Sequence, residues 1–171
     1  MVALVAIAVS AVGWLSYRNL EQALLQRARD RIETHSRQIA TDLEYYAASA
    51  TGDVAGFRSA VAMHGLVRAR KAGGIDPLDG VSEKTWRDRI ASRFAAELEA
   101  KPTYAMFRIV GLDDGGRELV RVDRNGPNGT VRIVPEAGLQ QRSDRGYFQE
   151  TIRLGPTQIY VSPLDLGRLT D

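Results

Sequence analysis

The 171-residue sequence predicts an α+β fold, with helices first and then an antiparallel sheet interrupted by one short helix. Three observations carry this. A proline-free stretch from Arg18 to about Arg70 repeats apolar residues at helical spacing. Trp86, Ile90, Phe94 and Leu98 recur every four residues. After Pro102 the period falls to two, through YAMFRIVG and RELVRVDR.

The chain opens MVALVAIAVSAVGWLSY, and no charged residue precedes Arg18. At about 1.5 Å per residue such a helix is near the short end of what crosses roughly 30 Å of hydrocarbon. Trp14 and Tyr17 stand where an interfacial aromatic belt is expected. The segment lacks the basic start and the small-residue cleavage site of a signal peptide, so residues 1–17 are read as an uncleaved transmembrane anchor. Arg18, Arg27, Arg29 and Arg31 follow. The positive-inside rule would make that flank cytoplasmic, but it loses force before a long domain, and charge leaves the side open.

Residues 18–72 form a long helical region. Leu20, Leu24, Ala28, Ile32, Ile39, Leu43 and Tyr46 trace one apolar stripe between charged residues. The stripe suits a parallel homodimer, or equally the first amphipathic helix of a globular domain. Gly52 and Gly56 are expected to break the helix before VAGFRSAVAMHGLVRAR, which Lys71-Ala72-Gly73-Gly74 terminates. Residues 73–102 comprise a loop, GGIDPLDGV, and a second helix. Ser82 is its N-cap, and it stops ahead of Lys101-Pro102 because the residue before proline is pushed out of the helical region.

Residues 103–171 carry the sheet. A hairpin loop on Asp114-Gly115 sets Arg108 opposite Arg121, and one on Gly115-Gly116 sets it opposite Asp123. Opposite charges across strands are favourable, so the second register is preferred. In both, Ala105, Phe107, Ile109, Val120 and Val122 share an apolar face, and Met106, Arg108, Val110, Leu119, Arg121 and Asp123 share a mixed one. NGPNG is a turn and TVRIVP a third strand; the Asn128-Gly129-Thr130 triplet is read as turn chemistry rather than a glycosylation site. Ser143 or Asp144 should cap a short helix, DRGYFQETIRL, ended by Gly155-Pro156. QIYVSPLDL alternates as a fourth strand, and the sheet then lacks a closing element at Asp171.

Composition excludes several functions. The balance of 23 basic and 21 acidic residues gives +2, too even to indicate nucleic acid. The absence of cysteine excludes disulfides, thiolate metal sites and a cysteine nucleophile. The chain holds no HExxH, GxSxG or phosphate loop, so it is read as no enzyme. His35 and His64 lack a second ligand at metal spacing, so neither metal nor cofactor is expected.

FRIVGLDDGGRELVRVDR, VPEAGLQQRSDRGYFQET and QIYVSPLDL together make Tyr104 to Leu166 resemble the membrane-distal lobe of a double Cache (dCache) sensor domain. The resemblance implies a PAS-like sheet packed on the long N-terminal helix and facing the periplasm, anchored in the bacterial inner membrane. It implies an extracytoplasmic small-molecule sensor, the front of a histidine kinase, diguanylate cyclase or chemoreceptor whose second lobe, return helix and output region are not in this sequence. In amino-acid-binding relatives an arginine ahead of a Trp-Tyr pair holds the ligand carboxylate and a later aspartate holds the amine. The matching residues are Arg145, Tyr147 and Phe148, with Asp165. Tyr147 in place of tryptophan and Phe148 in place of tyrosine cost one hydroxyl, which turns the expectation toward a carboxylate or another small anion. The competing reading has Arg145 pairing with Asp123 or Asp165 to close the domain. Arg121 and Tyr160, on the mixed face, are further candidates to line the pocket, or else part of a solvated outer face. The functional alternative is a structural or dimerisation membrane module with no ligand.

Overall fold

The computed structural model describes residues 2–125 and 129–163, with the side chains of 2–12, 15–16, 19–25 and 28 outside the description. The elements are α1 (Val2–Arg58), α2 (Val61–Lys71), α3 (Glu83–Ala100), β1 (Met106–Val110), β2 (Glu118–Arg124), β3 (Val131–Ile133), a 3-10 turn (Glu136–Gly138) and α4 (Gly146–Thr151). The fold is therefore α+β, with a long helix and a three-stranded antiparallel sheet in the order β1-β2-β3. Two compact units divide it, Met1–Ala50 and Thr51–Asp171.

The first unit is helical. The backbone of the apolar start is helix from Val2, but most of its side chains lie outside the described residues. Among the described residues no helix is long and apolar enough to cross a membrane. Ile32, Ile39, Leu43 and Tyr46 of the expected stripe are exposed.

The second unit holds the core. Leu66 and Ala69 of α2, Trp86, Ile90, Ala91, Phe94 and Leu98 of α3, and Val120 and Val122 of β2 are buried together. The four-residue repeat of α3 thus faces inward, and the apolar sheet face is the expected one. The helix that covers the sheet is mainly α3, whereas the Cache resemblance implied the long N-terminal helix in that role. From α1 the rim of the core takes Phe57, whose ring meets Phe94 at 4.9 Å and Phe107 at 5.4 Å. One turn earlier, Asp53 accepts from Lys101 Nζ at 2.5 Å and from the Tyr104 hydroxyl at 2.7 Å. Lys101 first, and then Tyr104, hold the Asp53 carboxyl below its ordinary range.

Helix ends follow local chemistry in part. Ser82 Oγ accepts from Thr85 N at 3.2 Å as the cap of α3, and α3 ends at Ala100, ahead of Pro102. Gly73 and Gly74 take positive φ beyond α2. Gly52 and Gly56 do not break α1, which runs to Arg58: a single helical glycine costs only about 1 kcal/mol, and Asp53 and Phe57 contribute contacts on either side of Gly56. α4 is shorter than expected, and Arg145 occupies its N-cap position without a side-chain cap bond, so neither Ser143 nor Asp144 caps it. The expected fourth strand is not formed over 158–163, where no neighbouring strand among the described residues supplies a hydrogen-bonded ladder; its remainder, 164–166, lies outside the described residues, as does Asn128.

Asp76, in the loop between α2 and α3, is buried and held by Arg68 through two bonds, Nε–Oδ1 at 2.9 Å and Nη2–Oδ2 at 2.6 Å. This loop delivers Trp86, only 4% exposed, against Gly65 of α2. A Cβ on Gly65 would lie 2.3 Å from Trp86 Cε2. Gly→Ala inside a helix ordinarily stabilises by roughly 0.5–1 kcal/mol. Here Gly65→Ala is expected to destabilise by about 1–3 kcal/mol through overpacking. Urea unfolding should show a lowered midpoint, and Trp86→Leu should remove the penalty of the added methyl. An unchanged or raised midpoint for Gly65→Ala contradicts this packing.

Candidate functional site: an arginine-lined sheet face around a buried glutamate

The hairpin register is the first correction. Phe107 pairs with Val122, Arg108 with Arg121 and Ile109 with Val120, so Arg108 does not face Asp123. The register then shifts between Ile109 and Val110, and Val110 pairs with Glu118. Strict alternation would put Glu118 on the apolar face with Val120 and Val122. The bulge turns it to the mixed face instead. The preferred glycines are still used, since Gly115 and Gly116 have φ of 63° and 88°. They sit in a longer loop closed by Gly111 N donating to Arg117 O at 2.8 Å.

Glu118 explains why two arginines tolerate each other across the strands. Its side chain is 0% exposed. Oε1 accepts from Arg142 Nε at 2.9 Å and from Arg108 Nη1 at 3.2 Å. Oε2 accepts from Gln140 N at 3.1 Å and lies 3.9 Å from Arg121 Nη1. Arg142 is itself 3% exposed and also donates to Gln140 Oε1. On the same face Asp123 takes Arg121 Nη2 at 2.9 Å and Arg132 Nε at 2.6 Å. Four arginines (108, 121, 132 and 142) thus meet two carboxylates (118 and 123), an excess of two positive charges. An open cleft of about 550 Å³ borders this face, lined by Tyr104, Met106, Arg121, Asp123 and Arg132 among others.

The segment before α4 is stitched to the hairpin. Arg142 N donates to Gly116 O at 2.7 Å and Glu118 N to Gln140 O at 2.9 Å. Gly116 is required here, because a Cβ would lie 2.8 Å from Ser143 N. This stitching brings α4 beside β1. The Tyr147 hydroxyl accepts from Arg108 Nη1 at 3.0 Å, and its ring centre lies 5.7 Å from the Arg108 guanidinium carbon.

Electrostatics follow from burial. Burial pulls Arg108 below its ordinary value; Arg142 and Arg121 act in the same direction, against Tyr147 and Glu118. For Asp123 burial acts upward, but Arg132 and Arg121 outweigh it and hold the carboxyl below its ordinary range. An anion placed on this face would relieve the repulsion among the guanidinium groups.

Of the residues singled out in the sequence, Arg121 and Tyr147 belong to this cluster. Arg145 is half-buried at the start of α4, with its carbonyl accepting from Phe148 N at 3.0 Å and Gln149 N at 3.1 Å. Phe148 is half-buried on α4. Tyr160 is half-buried but on no strand. Asp165 lies outside the described residues. Asp123 is engaged by Arg121 at 2.9 Å and by Arg132 at 2.6 Å. Sequence reasoning missed Glu118 and Arg142 and used Arg108 only as a register marker. An acid in step with Val120 and Val122 was the available signal. Among the described residues no group of His, Asp and Glu could hold a metal ion.

Compared with known proteins, the chain matches no family model, no curated protein and no solved structure.

Removing one partner of a buried charge cluster typically costs about 3–5 kcal/mol. Glu118→Gln should therefore destabilise the second unit by about that amount in urea unfolding. Asp88→Asn, which removes an exposed partner of Lys84, should cost about 1 kcal/mol at most. Equal effects of the two substitutions contradict the role given to Glu118.

Proposed function

We propose that this chain is the front part of a membrane receptor, and that its α+β unit senses a small anionic or carboxylate ligand. The observation that carries the reading is the excess of arginine over carboxylate on the mixed sheet face, partly withdrawn from water. Arg108 and Arg121 occupy strands, where the backbone holds them in place, and a guanidinium fork matches a carboxylate in two bonds. Tyr147 adds a hydroxyl and a ring at the edge of this face. Arg121 lines the cleft, and Arg145 and Phe148, which flank Tyr147 in the chain, are carried into the reading by the Cache resemblance. The similarity of Tyr104–Leu166 to a Cache lobe supports the same reading. So does the apolar start, which would anchor the chain in the inner membrane, and it is the Cache resemblance that sets the sheet in the periplasm.

In this reading the chain carries no catalysis of its own and delivers its signal to a region outside this sequence. The exposed stripe of Ile32, Ile39, Leu43 and Tyr46 favours a second copy of α1 as partner. A purely structural module would also use that stripe and would need cations for Glu118 and Asp123, but it leaves the excess of two positive charges without a role.

The test is a thermal-shift screen of carboxylates and inorganic anions on the whole chain in detergent, followed by calorimetric titration of the strongest. At least one carboxylate should raise the melting temperature. Arg145→Ala should weaken it roughly thirtyfold or more with little change in melting temperature, and Arg145→Lys should rescue poorly. No shift by any anion contradicts the sensing reading. Unaltered binding by Arg145→Ala removes that residue from the site.

A further inference from the structure

We propose that Trp14, Tyr17 and Arg18 form a collar on α1 that selects anionic phospholipid headgroups. The proposal rests on the membrane-anchor reading and names the lipid partner of that segment. Trp14 and Tyr17 are 60% and 67% exposed, and Arg18 is exposed beside them. Two large aromatic groups and a guanidinium thus mark the point where an uncharged run of 17 residues gives way to a charged helix.

The orientation of Arg18 is the telling feature. Its guanidinium carbon lies 4.9 Å from the centre of the Trp14 ring, four residues earlier. The side chain therefore reaches back along the helix over Trp14. Stacked on an indole, a guanidinium keeps its in-plane N–H groups free for a phosphate while its face is covered. Trp and Tyr favour the headgroup level of a bilayer, which places this fork among lipid phosphates. The next basic residue, Arg27, is nine positions on, roughly 14 Å along a helix axis, beyond a physiological Debye length of about 8 Å. Selection for anionic lipid at this level accordingly falls to Arg18.

The experiment reconstitutes the whole chain into vesicles of mixed phosphatidylcholine and phosphatidylglycerol. Bromine is carried on the acyl chains of one lipid class or the other, and tryptophan quenching is read. Trp86 is 4% exposed in the core, so lipid quenching reports Trp14, and Trp14→Phe serves as the control that must abolish it. Brominated phosphatidylglycerol should quench more than brominated phosphatidylcholine at equal mole fraction, corresponding to about fivefold preferred association. Arg18→Gln should equalise the two, and raised salt should reduce the difference. Equal quenching in the parent chain, or a difference that survives Arg18→Gln, overturns the collar and leaves the anchor reading intact. No quenching by either lipid overturns the anchor reading and the collar with it.

Discussion

A carboxylate taken wholly out of water is the constraint around which the sheet is arranged. An isolated buried Glu118 would cost several kcal/mol, so the fold must bring positive charge to it. Arg142 comes from the segment before α4, Arg108 from β1 and Arg121 from β2 itself. Satisfying that one group draws in the hairpin bulge, the stitched segment 140–142 and the position of α4. It also makes the pairing of Arg108 with Arg121 tolerable, since each has an acid within reach.

The side away from this cluster was legible in the sequence because it obeys periodicity alone. Trp86, Ile90, Phe94 and Leu98 are a four-residue repeat with one face, and Phe107, Ile109, Val120 and Val122 alternate cleanly. Ser82, Pro102, Gly73 and Gly74 mark ends through local chemistry that needs no tertiary context. The mixed face was less legible for a physical reason. Alternation assumes an unbroken ladder, and one register shift moved Glu118 to the other face. Cross-strand charge pairing then chose Asp123 for Arg108, although the stronger pull was a buried acid ten residues away in the chain. Gln158–Ser162 alternates like a strand, but alternation cannot supply the neighbour a strand needs. Gly52 and Gly56 were weighed as breakers without the contacts of Asp53 and Phe57 that hold the helix end.

Two of the residues singled out in the sequence touch the Glu118 cluster. Arg121 came from its place on the mixed face, and Tyr147 from the Cache resemblance. Arg142, three residues before Arg145, was passed over because nothing local distinguishes a buried arginine from a solvated one. The sensing proposal uses this same cluster: groups that make Glu118 affordable also leave two positive charges in excess.

Whether Glu118 organises this face is tested most directly by a double-mutant cycle with Glu118→Gln and Arg142→Gln, read by urea unfolding of the whole chain. The account predicts a coupling of at least about 1.5 kcal/mol, because either substitution alone already breaks the buried Arg142–Glu118 pair, so the second adds little through it. A coupling near zero, with the two single effects simply adding, would contradict it.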